Sequence, residues 1–501
     1  MWLRRAAFSG ALVALLSAYY AFTATAGKFD VLTWHTDYYD LLAESFRAGR
    51  IDLLIQPSRR LLAKADPYDY KYVELWLWDA VLFDKRYYFY WGPIPALCLL
   101  GYKVLSGALG IVHDQWLVLC FMIGRLIAGT LLILSVAHYP RTRLPDWAVY
   151  LAIGVFALAS PTPYFIARPL IYEASISAGQ CFLFWGLLAA FWGIHKRRWR
   201  VPLFVFAGAC WSAAFGSRGS LLLVAPLLCL ITAYASARDP VFRLRAMIAP
   251  LFLVATPVAL GLLAHGVYNY ARFGTPLEFG LNYQLTWRPF MNDTAFLLPN
   301  LVSYLGAELA WSCRFPFARL PKHRDLTSLI SWPVDYDVGD WDKGERVAGV
   351  LVTTTFCWLT AIWLWRAFDA FRQMAKPDGP HHPRLGLCRS DLWVLLCSCA
   401  CMVSLAPASR MYMANMRFLE DAAGGLILAS VLAGFWLLRR TQRSARLWLR
   451  AVGRGLYVGL AAHTIVIGLF LGFSGYMNNF QLENPQLHAW LRERLSTCRQ
   501  R

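Results

Sequence analysis

Residues 91–112 read WGPIPALCLLGYKVLSGALGIV, and the side of the membrane given to everything that follows depends on whether they cross it. The stretch is apolar enough to be a span. A span here would put the next basic loop, HYPRTRLP at 138–145, outside. An interfacial helix leaves that loop inside, where short loops gather their Lys and Arg. The charge rule selects the interfacial helix.

Working outward from that choice, the remaining apolar runs alternate without strain. The first span follows the basic start MWLRR, runs from Ala6 to Ala26, and ends in ATAG, similar to a signal-peptidase site. A retained anchor is the expectation, and with or without cleavage the next segment lies outside. Further spans are expected at about 115–137, from 147 to about 163, and up to the inner HKRRWR. Another covers about 201–216, and the next returns to the inner ARDPVFRLR. A span from 246 to about 268 opens a second long outer segment. One ends in WRAFDAFRQMAKPDGPHHPR inside, one lies at about 391–406, one reaches RRTQRSARLWLRAVGR inside, and the last covers about 455–473.

The expected fold is an all-α integral membrane protein of about eleven transmembrane helices, N-terminus inside and C-terminus outside. The count shifts by one or two with 93–111 and 296–312. Its parts are the first helix, 1–26; an outer loop with interfacial helices, 27–114; a bundle, 115–268; the second outer segment, 269–345; C-terminal transmembrane helices, 346–473; and an outer tail, 474–501. Of 501 residues, 58% are hydrophobic and only 16% charged, too few charges for a soluble domain of this size. The net charge of +19 sits mostly in short loops between apolar runs, which excludes nucleic acid as the partner and leaves membrane lipid. The cysteines lie mostly inside apolar runs and read as small hydrophobes, including Cys397, Cys399 and Cys401. No metal site is assigned there, and no disulfide framework is implied.

This topology sorts the acids to the outer face. Residues 27–92 hold Asp30, Asp37, Asp40, Glu44, Asp52, Asp66, Asp69, Glu74, Asp79 and Asp84 against nine Lys or Arg. YYDLLAESFRAGR reads as a helix stopped near Gly49, with Leu41, Leu42, Ser45 and Phe46 on one face and Glu44 and Arg47 exposed. Asp37 stands just ahead of it. There it either caps the helix or serves as a general base for a polar acceptor, with Asp40 one turn on in support. The aromatic-rich run to Trp91, with Asp79, Asp84, Lys85 and Arg86 interleaved, serves either as an interface belt or as a sugar platform. Arg168, Arg218, Arg272, Arg410 and Arg417 fall at outer span ends. They either snorkel to headgroups or converge on a phosphate, and Arg168–Glu173 and Arg417–Glu420 are alternative ion pairs.

HTDYYDLLAESFRAG (35–49), FDKRYYFYWGPIPALCLL (83–100), YNYARFGTPLEFGLNYQL (268–285) and NMRFLEDAAGGLIL (415–428) together resemble the GT-C superfamily of membrane glycosyltransferases. Protein O-mannosyltransferases and lipid A aminoarabinose transferases belong to that group. The resemblance covers about the first 270 residues as a plan. Family members often carry an acidic pair where His35 and Thr36 stand here.

The resemblance implies an inverting glycosyltransferase on the outer, periplasmic face of a bacterial inner membrane. It would move a sugar from a polyprenyl-phosphate-linked donor to a glycan, lipid or protein acceptor. Asp37 and Asp40 would be the catalytic acids, Asp79 and Asp84 supporting acids, Arg168, Arg218, Arg272, Arg417 and Lys85 the donor-phosphate ligands, and Tyr39, Tyr88 and Trp91 the aromatic sugar or interface contacts. No cofactor is assigned. A divalent cation on Asp37, Asp40 and Asp79 stays open, although their spacing is no metal motif. The competing expectations are a transporter or flippase, with Arg125 deep in a span, and a non-catalytic scaffold. No internal repeat supports the transporter.

Overall fold

The computed structural model describes residues 2–138, 144–237, 243–286, 291–321, 346–374 and 388–498. Much of three expected inner loops (138–145, 237–245 and 365–384) and of the second outer segment lies outside these residues.

The protein is helical, with two short two-stranded hairpins among the described residues. Among the described residues, eight helices are long and apolar enough to cross a membrane: Arg5–Ala24, Asp114–His138, Ile171–His195, Gly219–Ser236, Leu244–Phe273, Arg389–Ala408, Met416–Gln442 and Leu447–Ser474. Each falls where a span is expected, and the protein is a multi-pass membrane protein.

The other three expected spans fall short in length, apolarity or continuity. Asp146–Leu158 has 13 residues and stops ahead of Ser160-Pro161-Thr162-Pro163, because a residue before proline is driven out of the helical region. Arg200–Ser217 has 18 residues. The eighth is split into Val350–Thr353, a 3₁₀ turn at Thr355–Thr360, and Ala361–Met374.

The deciding stretch forms the helix Ile94–Ser106, closed by Gly107 at φ 70°. Thirteen residues rise about 20 Å, short of the roughly 30 Å hydrocarbon core. Its Lys103 is buried and paired with Asp40 and Glu44 of the outer loop, so one face is tied to that loop. Gly92, just before it, packs so closely on the end of Arg200–Ser217 that a Cβ would lie 1.9 Å from the Gly216 carbonyl oxygen. That contact fixes Trp91 beside Arg218.

One sequence expectation is corrected. Cys313, in the segment 269–345, forms a disulfide with Cys498 in the segment 474–501, their Cα atoms 5.6 Å apart. The partners are separated by 185 residues, so neither carries a local spacing signal.

Candidate active site

The site starts at the helix Tyr38–Arg47. Gly49, at φ 71°, ends it as expected. Its N-terminus is capped differently from the expectation. Asp37 occupies the cap position but makes no side-chain capping bond. Asp114, at the head of the span Asp114–His138, takes that role. Its carboxylate accepts from the Tyr38 amide at 3.0 Å, the Tyr39 amide at 3.1 Å and the Thr36 hydroxyl at 2.6 Å. The Asp114 amide donates back to the Thr36 carbonyl at 2.9 Å. A carboxylate from another helix thus satisfies two free amides of the first turn.

Relieved of capping, Asp37 turns to His113, with Oδ1 2.5 Å from Nδ1. The His35 and His113 rings meet edge to face at 4.6 Å. His35 Nδ1 is held 2.9 Å from the Leu32 carbonyl, which makes Nδ1 the protonated nitrogen and leaves Nε2 for a ligand. One potential ligand atom from each of His35, Asp37 and His113 lies within 4.8 Å of the others. Two imidazoles and one carboxylate suit a first-row divalent ion, and the Leu32 carbonyl is the kind of outer partner that orients a metal-bound histidine.

The proposed cation ligands Asp40 and Asp79 are placed elsewhere. Asp40 is buried, 2.6 Å from Lys103 Nζ, and accepts from the Val112 amide at 3.0 Å. An ammonium buried this deeply needs such partners. Asp79 is buried at φ 60° and accepts from the Gln284 amide at 2.9 Å and the Tyr172 hydroxyl. Burial raises its pKa above the ordinary aspartate value, although Tyr172, Arg417 and Gln284 oppose the shift. Asp84 and Lys85 form the exposed turn between strands Val81–Phe83 and Arg86–Tyr88, both at positive φ. They line neither cavity described next.

A cavity of about 720 Å³ is lined by Asp37, His35, Trp78, Asp79, Arg168 and Tyr172, among others, with Asp40 in its wall. A second, of about 370 Å³, is lined by Trp91, Tyr172, Arg218, Gln284, Arg417 and Asp421, among others, and is mainly apolar. Tyr172 borders both.

The expected arginine cluster is divided between them. Arg168 belongs to the larger cavity, 3.9 Å from Glu173 and 3.8 Å over the Tyr476 ring. Arg218 and Arg417 belong to the smaller. Arg218 pairs with Asp421 at 3.0 Å, and Arg417 lies 4.1 Å over Tyr172. Arg168 and Arg417 also share one small void with Glu173. Arg272 lines none of these. It donates to the Phe89 carbonyl and, at 2.6 Å, to Asn269, which makes it a brace between the outer loop and its own helix. Arg410 is exposed, and its carbonyl accepts from the Asp293 amide at 2.9 Å.

Of the aromatics, Trp91 reaches the smaller cavity, while Tyr39 is fully buried in the core and Tyr88 packs on Phe273. Of the alternative ion pairs, Arg168–Glu173 is present. Glu420 is instead 3.2 Å from Arg125, and Thr162 donates to it at 3.0 Å.

Sequence reading missed His35, His113, Asp114, Tyr172, Gln284 and Asp421. The one available signal was His113-Asp114, polar residues directly ahead of an apolar run.

Fold and site together define a multi-pass helical membrane protein with an acid–imidazole cluster beside the start of one span. No protein-family model matches the chain. No curated protein matches it. Among solved structures it is similar to the oligosaccharyltransferase AglB of the archaeon Archaeoglobus fulgidus. With the complex holding an inhibitory peptide and a dolichol-phosphate, the TM-score is 0.45 at 13% identity over 92% of this chain. With the form tethered to an acceptor peptide it is 0.42 at 12% over 93%. With the complex containing Zn and sulfate it is 0.45 at 11% over 92%. The chain spans 55%, 55% and 53% of the lengths of those three chains.

Proposed function

We propose that the protein is an inverting glycosyltransferase that moves a sugar from a polyprenyl-phosphate-linked donor to an acceptor hydroxyl on the periplasmic face of a bacterial inner membrane. The observation that carries this reading is Asp37: freed from capping by Asp114, bonded to His113, and facing the cavity that also holds Arg168 and Asp79.

The chemistry follows from those positions. The acceptor enters the larger cavity and gives its hydroxyl proton to Asp37, while His113 fixes the orientation of the carboxylate. The acceptor oxygen attacks the anomeric carbon as the bond to the phosphate oxygen breaks, and the electron pair leaves with the phosphate. Arg218 and Arg417 in the smaller, apolar cavity stabilise that growing charge beside the prenyl chain. The phosphate needs no proton to leave, so a single basic carboxylate suffices. Tyr172, shared by both cavities, stands at their junction. A divalent ion held by His35, Asp37 and His113 would supply Lewis-acid help in ionising the acceptor. Sidedness draws support from the Cys313–Cys498 bond, since disulfides persist in oxidising compartments.

The test is transfer by the purified protein from a synthetic polyprenyl-phosphate sugar, with and without chelator. Covalent product from the wild type, lost in a folded Asp37→Asn variant, is the expected result. Full activity in that variant rejects the assignment.

A further inference from the structure

The loop that carries His35 and Asp37 is held from two sides. On one side is Gln115 of the span Asp114–His138. Its amide oxygen accepts from the Leu32 amide at 3.0 Å, and its amide nitrogen donates to the Asp30 carbonyl at 3.0 Å. On the other side is the C-terminal tail, through the single carboxylate of Glu483, whose side chain is 5% exposed. Glu483 accepts from Lys28 Nζ at 2.7 Å, the Thr33 amide at 2.9 Å, the Thr33 hydroxyl at 3.1 Å and the Trp34 amide at 3.4 Å. Asn484 adds a bond to the Ala26 carbonyl at 3.0 Å. Phe480 is buried against Ala26 and Leu32.

The tail is itself anchored. Beyond the helix Pro485–Leu495, the Thr497 amide donates to the Cys313 carbonyl at 2.9 Å, and Ser496 accepts from the Phe315 amide at 3.2 Å. Cys498 closes the disulfide to Cys313.

We infer that the tail is a working part of the site, with Glu483 a positioning residue that sets His35 and Asp37 against His113. This rests on His35, Asp37 and His113 being the reaction centre. The bonds land on residues 33 and 34, directly before His35, and the Leu32 carbonyl that orients the His35 ring lies in the same turn of backbone. Glu483 touches none of the three site side chains. Its effect passes through the backbone between Leu32 and Trp34, as outer partners act on a metal or acid–base cluster. The disulfide makes the clasp redox-dependent, because reduction frees the end of the tail.

The experiment uses the full chain in detergent, with hydrogen exchange over residues 28–37 and Zn²⁺ titration as readouts beside kcat and KM. Glu483→Ala is expected to speed exchange of the Thr33 and Trp34 amides at least about tenfold. Zn²⁺ affinity should fall about tenfold and kcat should drop, with KM for the donor unchanged. Glu483→Asp should restore part of each. Thr33→Val and the pair Cys313→Ser with Cys498→Ser should move the same readouts less, and they keep the test open should Glu483→Ala not fold. Unchanged exchange at Thr33 and Trp34, or opened amides with unaltered Zn²⁺ affinity and kcat, overturns the inference. Failure of the glycosyltransferase reading would show separately, as transfer that survives Asp37→Asn while exchange and Zn²⁺ affinity still respond to Glu483.

Discussion

Two acid–base pairs in this protein look alike on paper and differ in surroundings. Arg125 and Glu420 meet inside the bundle with side chains 1% and 0% exposed. Thr162 bonds to both, and the Phe156 and Phe184 rings flank the guanidinium. Asp37 and His113 meet in the segment between the first two spans with side chains 29% and 22% exposed, and Asp37 faces a cavity. The first pair is enclosed by the bundle, while the second is part-exposed beside a cavity. A transporter would need reachable ionisable groups at membrane depth. The clearest candidate there, Arg125, is paired with Glu420 through Nη1 and lines none of the cavities described above.

The comparison can be broken from either end. The largest effect is expected at the outer pair, where Asp37→Asn should lower transfer about 10²- to 10⁴-fold with little change in thermal unfolding, because Asp37 caps nothing. At the inner pair the pattern reverses. Glu420→Ala leaves Arg125 buried without its countercharge, and stability in detergent should fall by about 3–5 kcal/mol. The double change Arg125→Met with Glu420→Leu should recover most of that loss. Equal damage to transfer and stability at both pairs would erase the distinction. Lys103→Met leaves the buried Asp40 without its ammonium and should cost about 1–3 kcal/mol, with kcat following stability alone. A specific loss of kcat there would return Asp40 to the chemistry.

The smallest effect is expected at Arg50–Asp52, where the Arg50 side chain is 40% exposed. The Arg50 hydrogen bond holds Asp52 below the usual carboxylate range against the opposing effect of burial. A depressed folded-state pKa contributes stability above the unfolded value, and that contribution fades only as pH falls through the lower folded value. Thermal unfolding of Arg50→Ala and wild type should therefore match closest at the acid end and differ slightly near pH 7.

Much of the fold was legible because lipid imposes strong rules. Apolar length located eight of the eleven expected spans as helices long and apolar enough to cross a membrane, and the amphipathic pattern with Gly49 placed Tyr38–Arg47. Proline explains where the third expected span stops short. The site was legible in part. Asp37 stood out by position, but its release from capping depends on Asp114, which only tertiary packing brings to the Thr36 hydroxyl. The arginines shared one sequence signal, the outer end of a span, and packing then separated them. Arg272 became a brace, Arg168 went to one cavity, and Arg218 and Arg417 went to the other. The disulfide was hidden for the same reason, its partners meeting only when the tail folds back.

The Glu483 contact also carries a schedule. His35 and Asp37 leave the ribosome early, while the carboxylate that fastens their loop follows about 450 residues later, roughly 20–90 s at ordinary elongation rates. Through that interval the nascent chain carries the loop at 28–34 without the four hydrogen bonds that Glu483 makes to it. On the proposed reading, competence therefore waits for Glu483, and a chain abandoned before that residue stays inactive.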